Sequence, residues 1–334
     1  MKSKPAVFLS LMGLFLALAS ACVPPVSNDG AVAESYLTDL DELAPLPLSP
    51  GAKLYVVATT SILADVVGRV GGDEVDLVSL IPIGVDPHAF EPTPRDAQAL
   101  AAADVVFING FGLESFLEGL IRQAGGSASV VSASLGIAPL PFEEEEDQAE
   151  EEGEHDEYGA DPHTWLDPNN VIQWTENIEA ALSALDPNRA EAYRANGAAY
   201  RAELATLDRE IRDDVSRIPP ENRTLVTDHD ELAYFADEYG FTVVGTVIPG
   251  ASSLAEPSAA QLADLLDRVK AQRVPALFVS SVVNPSLMEV FAADAGIRVA
   301  TLYAHSLTAP DGPAPSYLEL MRYNAETIAA ALTP

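Results

Sequence analysis

Five histidines occur in the 334 residues, and four of them stand where the backbone can hold an imidazole still. His88 lies in Asp86-Pro87-His88 and His163 in Asp161-Pro162-His163, whereas His229 and His305 follow the apolar runs 224–227 and 298–303. Proline fixes its own φ and biases the preceding residue toward extended conformations, so a histidine after Asp-Pro loses little entropy when its ring is held at ligand distance. Any one of the four has an ordinary reading as a hydrogen-bonded core or surface residue. Four at comparable positions, two of them in the same tripeptide, point to a metal site. The single cysteine, Cys22, excludes a zinc-thiolate cluster and an intramolecular disulfide.

The elements that must position these rings read as short β-branched runs alternating with helical stretches from residue 53 onward. Strands are expected over 54–58, 75–81, 105–108, 130–132, 224–227, 242–248, 276–279 and 298–303. Helices are expected over 62–70, 95–103, 113–124, 231–239, 258–271 and 285–295. Such alternation predicts an α/β protein of two lobes with mostly parallel sheets flanked by helices. Open α/β sheets bind ligands beyond the carboxyl ends of their strands, where all four histidines could converge. Residues 186–217 run from Asp186-Pro187 to Pro219-Pro220 with one glycine, Gly197. They predict a single connecting helix of about 45 Å between an N-terminal lobe at 53–185 and a C-terminal lobe at 218–334. Two shorter helices broken near Gly197 are the alternative.

The balance of 51 acidic against 18 basic residues, a formal charge of −33, excludes a nucleic-acid or anionic-lipid binder that works through basic patches. Cations suit it better. Eleven of the fifteen residues 143–157 are acidic, with His155 among them, which predicts a solvated loop that could also gather cations weakly. The N-terminus has Lys2 and Lys4, an apolar run over 6–19, and Ser20-Ala21 before Cys22. Residues 1–21 therefore read as a signal peptide, too short for a comfortable membrane span. Residues 22–52, rich in proline and without periodicity, read as a tether.

The Ala19-Ser20-Ala21-Cys22 stretch resembles the lipobox of bacterial lipoproteins, which implies a lipid anchor at Cys22; an incidental cysteine is the alternative. The segments Val85-Asp86-Pro87-His88-Ala89-Phe90-Glu91-Pro92-Thr93-Pro94 and Asp161-Pro162-His163-Thr164-Trp165-Leu166-Asp167-Pro168 resemble the metal-binding lipoproteins of bacterial zinc and manganese ABC importers (cluster A-I metal-binding proteins). Residues 109–114, 229–235 and 317–324 are similar to further family segments, so the resemblance covers 53–332. It implies two α/β lobes joined by one long helix with the metal between them, and an exported, non-enzymatic substrate-binding protein. That protein would be periplasmic or anchored to the outer face of the cytoplasmic membrane, monomeric, and served by an ABC permease. By position, His88, His163 and His229 become ligands. His305 stands where many members carry an aspartate, which leaves either a fourth imidazole or a shell completed by water or a carboxylate.

Three or four imidazoles suit tetrahedral Zn²⁺, whereas Mn²⁺ prefers carboxylates and higher coordination, so zinc is expected as the carried ion and manganese is the alternative. Asp86, Asp161, Asp228 and Asp230 are candidates to back the imidazoles or to supply compensating charge. Ordinary imidazoles would lose affinity below about pH 6.5. A zinc hydrolase with three histidines, a bound water and Glu231 as base is the enzymatic alternative. A surface adhesin and a siderophore or corrinoid carrier are further readings. Gly110-Phe111-Gly112 imitates a dinucleotide fingerprint but lacks its third glycine.

Overall fold

The computed structural model describes residues 36–124, 127–141, 160–250 and 252–333. The leader, Cys22 and the acidic run 143–157 lie outside the described residues. No helix among the described residues is long and apolar enough to cross a membrane.

The first lobe is a four-stranded parallel sheet of β1 (Leu54–Ala58), β2 (Val75–Ser79), β3 (Val105–Ile108) and β4 (Ser129–Ser132), in the order β2-β1-β3-β4. Helices α1 (Ser61–Gly71), α2 (Pro94–Ala102) and α3 (Leu117–Ala124) connect these strands. The second lobe repeats the order as β6-β5-β7-β8, from β5 (Thr224–Thr227), β6 (Thr242–Thr246), β7 (Ala276–Ser280) and β8 (Arg298–Leu302). Its helices are α6 (Ala233–Tyr239), α7 (Ala259–Gln272) and α8 (Pro285–Ala295). Strands β3 and β7 are buried along their whole length, as unbroken apolar runs covered on both faces must be. In each sheet the chain changes direction beside the first strand of the lobe, and the two switch points open on the region where the histidines gather.

Two helices absent from the sequence reading complete the frame. Helix α4 (Pro168–Leu185) starts on Asp167, whose carboxylate accepts from Asn169 N, with proline at the first position, and buries Val171, Trp174, Ile178 and Leu182. Helix α9 (Tyr317–Leu332) starts on a Ser316 cap and packs on the long helix α5 and on β8.

The connecting helix is α5 (Ala190–Ser216), 27 residues and about 40 Å long. It begins four residues later than the Asp186-Pro187 signal suggests, because Asp186 closes α4 and pairs with Arg189 in the turn between the two helices. Gly197 lies inside it without a break. A Cβ there would stand 2.4 Å from Glu179 Oε2, so the glycine admits the Glu179–Arg201 ion pair between α4 and α5.

Residues 36–52 are laid against the first lobe. Thr38 donates from its backbone N–H to Val130 O at 2.7 Å and accepts from Val130 N at 3.1 Å, which covers the edge strand β4. Leu40, Leu43, Leu46 and Leu48 pack on the main core, and Leu46 N bonds Leu185 O. The stretch holds one 3-10 turn, Leu40–Glu42, and its leucines find apolar cover, so the free tether expected over 22–52 does not extend through these residues. The core comprises three apolar clusters among the described residues. One apolar cluster runs from Val56 and Phe107 of the first lobe through Trp174, Leu204 and Tyr317 to Phe278 and Leu302 of the second.

Candidate metal centre

The two Asp-Pro-His tripeptides form the same local turn. Asp86 Oδ1 accepts from His88 N at 2.9 Å, and Asp161 Oδ1 accepts from His163 N at 2.8 Å. They differ at the ring, since Asp161 Oδ1 also meets His163 Nδ1 at 2.7 Å, whereas the other oxygen of Asp86 accepts from Ser253 Oγ across the cleft. The loop carrying His163 is braced from below, with Asn109 Nδ2 donating to Pro162 O at 2.8 Å. Glu114, buried, accepts from Asn109 N, Gly110 N and Thr59 Oγ1. A Cβ at Gly110, whose φ is +96°, would stand 2.3 Å from Ser132 Oγ. The Gly-Phe-Gly segment thus serves the positioning of His163, in place of a phosphate cradle.

On the second lobe His229 leaves the end of β5 directly. Asp228 Oδ1 accepts from both His229 N and His229 Nδ1 at 2.8 Å, and Asp228 Oδ2 accepts from Ser280 N at 2.8 Å. His305 follows β8 and is set by Trp165, whose indole N–H donates to Ala304 O at 2.6 Å. Its Nδ1 lies 3.0 Å from Ser280 Oγ and 3.4 Å from Glu231 Oε2. Of the other candidates, Asp86 caps its loop and links the lobes. Asp230 stands next to His229 with its backbone N–H on Gly250 O.

All four expected histidines come together. One ligand nitrogen from each of His88, His163, His229 and His305 lies within 4.8 Å of every other, and ring centroids are 4.9 to 5.6 Å apart. His88 Nε2 and His163 Nε2 are 3.2 Å apart. Nitrogens bound tetrahedrally at about 2.0–2.1 Å would be separated by about 3.3 Å. His229 Nε2 and His305 Nε2 are buried and have no hydrogen-bond partner among the described residues. Buried nitrogens normally have partners, so these lone pairs fit a shared cation.

Burial shifts the protonation of three of the clustered histidines. It lowers His88 to about 3, aided by repulsion from His163 and His229, and it holds His163 and His305 well below the usual imidazole range, with neighbouring rings adding to the effect. Neutral rings are the form that binds metal. For His88, His163 and His305, the protonation expected below about pH 6.5 is thereby displaced to lower pH. Burial also raises Asp161 to about 7, and raises Glu231 well above the carboxylate range with Asp228, Asp86 and Asp161 contributing.

The sequence offers Glu231 as a hydrolytic base, whereas the structure sets it, fully buried, beside the ring of His305. Its Oε2 lies 3.4 Å from His305 Nδ1, and a carboxyl oxygen also lies within 4.8 Å of ligand atoms of Asp228 and His229. Ser280, Trp165 and Glu114 were not singled out in the sequence reading. Ser280 becomes visible only with the strand order, which sets the end of β7 between β5 and β8.

Residues 56–331 match the family described as zinc-uptake complex component A, periplasmic (ZnuA). The chain is 36% identical over 284 residues to the manganese-binding lipoprotein MntA of Halalkalibacterium halodurans, covering 85% of this chain and 90% of that protein. It is 34% identical over 291 residues to the manganese ABC transporter substrate-binding lipoprotein PsaA of Streptococcus mitis, covering 84% and 90%. Among solved structures, the periplasmic zinc binding protein TroA from Treponema pallidum superposes with a TM-score of 0.76 at 28% identity, over 85% of this chain and all of that one.

Proposed function

Because the chain belongs to the zinc-uptake complex component A family, extracytoplasmic substrate-binding components of metal ABC importers and not enzymes, we propose that its cargo is Zn²⁺, held between the lobes by His88, His163, His229 and His305. The observation that carries this reading is the donor set: four imidazoles converge, and Asp161, Asp228 and Glu231 each stand at the Nδ1 of one of them, His163, His229 and His305 respectively. Imidazole donors in a four-membered set favour zinc, whereas manganese favours oxygen donors and higher coordination. Manganese is the second reading, supported by the manganese names of MntA and PsaA.

In this proposal the protein works as a monomer, is anchored through a lipid on Cys22, and hands the ion to an ABC permease without chemistry on it. His88 is the half-buried member of an otherwise buried quartet, so the ion enters past it. Release needs the second-lobe pair, His229 and His305, to draw away from the first-lobe pair.

Metal analysis of purified protein, with chelator competition for zinc and manganese, tests the reading. It expects one zinc per chain, bound at least a hundredfold tighter than manganese, and a large loss in His305→Ala. Manganese binding as tight as zinc would overturn the choice of ion, and an unaffected His305→Ala variant would overturn the four-imidazole shell.

A further inference from the structure

Glu231 is fully buried, yet both its oxygens lack a hydrogen-bond partner among the described residues. A buried carboxyl without a donor is costly beside an apolar side chain of similar size, so its presence needs a compensating role. Ligand atoms of Asp228 and His229 lie within 4.8 Å of its carboxyl, and the ring of His305 stands with Nδ1 3.4 Å from Oε2. The same Nδ1 lies 3.0 Å from Ser280 Oγ, a hydroxyl able either to donate or to accept. If Ser280 donates, the ring proton sits on Nε2 and blocks the lone pair that faces the other three histidines. If Ser280 accepts, Nδ1 carries the proton and Nε2 is free. The hydroxyl alone does not choose.

At the two neighbouring rings the choice is made by a carboxylate on Nδ1: Asp161 at His163, 2.7 Å away, and Asp228 at His229, 2.8 Å away. We propose that Glu231 is the third member of this set, a positioning residue that holds His305 in the Nδ1–H tautomer and so turns Nε2 into a metal donor. Glu231 leaves the loop between β5 and α6 and His305 follows β8, so both belong to the second lobe and stay paired when the lobes move. In either protonation state a carboxyl keeps an oxygen that can accept from Nδ1–H. This inference rests on His305 being a ligand, as proposed above.

The test reads the tautomer directly. In metal-free protein labelled with ¹⁵N-histidine, two-bond ¹H–¹⁵N correlation is expected to show His305 protonated on Nδ1. Glu231→Leu is expected to shift His305 toward Nε2–H and to weaken zinc binding about 10–100-fold, the usual range for groups that orient a ligand. Glu231→Gln, which keeps an acceptor oxygen, is expected to recover most of that affinity. His305 on the Nε2–H tautomer in the unsubstituted protein overturns the inference even if Glu231→Leu does not fold. Glu231→Leu binding zinc within about threefold of the unsubstituted protein, while His305→Ala binds weakly, overturns it and leaves the metal site standing. Unchanged binding in His305→Ala overturns both.

Discussion

Asp228→Asn is expected to weaken zinc binding far more than Asp161→Asn, although each carboxylate backs one histidine. Asp228 uses both oxygens: Oδ1 takes His229 N and Nδ1, and Oδ2 takes Ser280 N. An asparagine cannot match this set. If its amide nitrogen faces Ser280, two donors oppose each other; if it turns round, the nitrogen faces His229, and the ring must accept at Nδ1 and carry its proton on the metal side. Losing a charge-assisted bond costs about 1.5–3 kcal/mol, which converts to roughly 10–100-fold in affinity. Asp161 is different, because its Oδ2 has no partner among the described residues. An asparagine there can leave its nitrogen at that position while Oδ1 still accepts from His163 N and Nδ1. The loss is then that of a weaker neutral acceptor, on the order of 1 kcal/mol or about fivefold. Chelator-competition titrations of both variants at pH 7.5, with thermal unfolding of the metal-free proteins as a control, measure the difference. Equal losses, or a larger loss at Asp161, would refute the argument.

Asp167 is raised to about 6, chiefly by burial. Its folded value therefore exceeds the unfolded one, so its contribution to stability is present at low pH and is lost as pH rises from about 4 through 6. Asp167→Asn, which keeps an acceptor for Asn169 N, should stabilise metal-free protein by up to about 2 kcal/mol at pH 7.5 and not at pH 4, as measured by urea unfolding. Deleting residues 143–157 should leave one tightly bound zinc per chain by metal analysis, because that run contributes none of the four clustered histidines. Beginning the chain at residue 50 in place of residue 36 should lower unfolding free energy by roughly 3–5 kcal/mol, since it strips several half-buried leucines from the first lobe. A denaturation midpoint unchanged by that truncation would show the docked segment to be inert.

The histidine quartet was legible because Asp-Pro before a histidine and a histidine just past a strand are local patterns, and the strand order then brings local patterns together. The two lobes were legible for the same reason, through apolar runs of four to five residues. What escaped depends on contacts between distant parts of the chain. Helix α4 begins with Pro168 at the end of the Asp161–Pro168 segment, so its proline passes for more loop, although Val171, Trp174, Ile178 and Leu182 carry the helical spacing. The leucines of the docked N-terminal stretch recur every three residues from Leu37 to Leu46, a spacing that prolines break before it makes a helix, and they acquire meaning only against Val130 and Leu185. Glu231 faces a ring from the far edge of the same sheet, a neighbour that no sequence window contains.

The apolar cluster shared by both lobes carries a consequence for timing. Parting the lobes widely would bring Trp165, Leu307 and Tyr317, which bond from one lobe to the other, toward water, at about 25 cal/mol for each Å² uncovered. Spontaneous opening is therefore rare, and a bound ion exchanges slowly with ions in bulk solution even where the equilibrium would allow exchange. A carrier built this way keeps its cargo by a barrier as well as by affinity. Its residence time becomes the quantity that a docking partner must shorten.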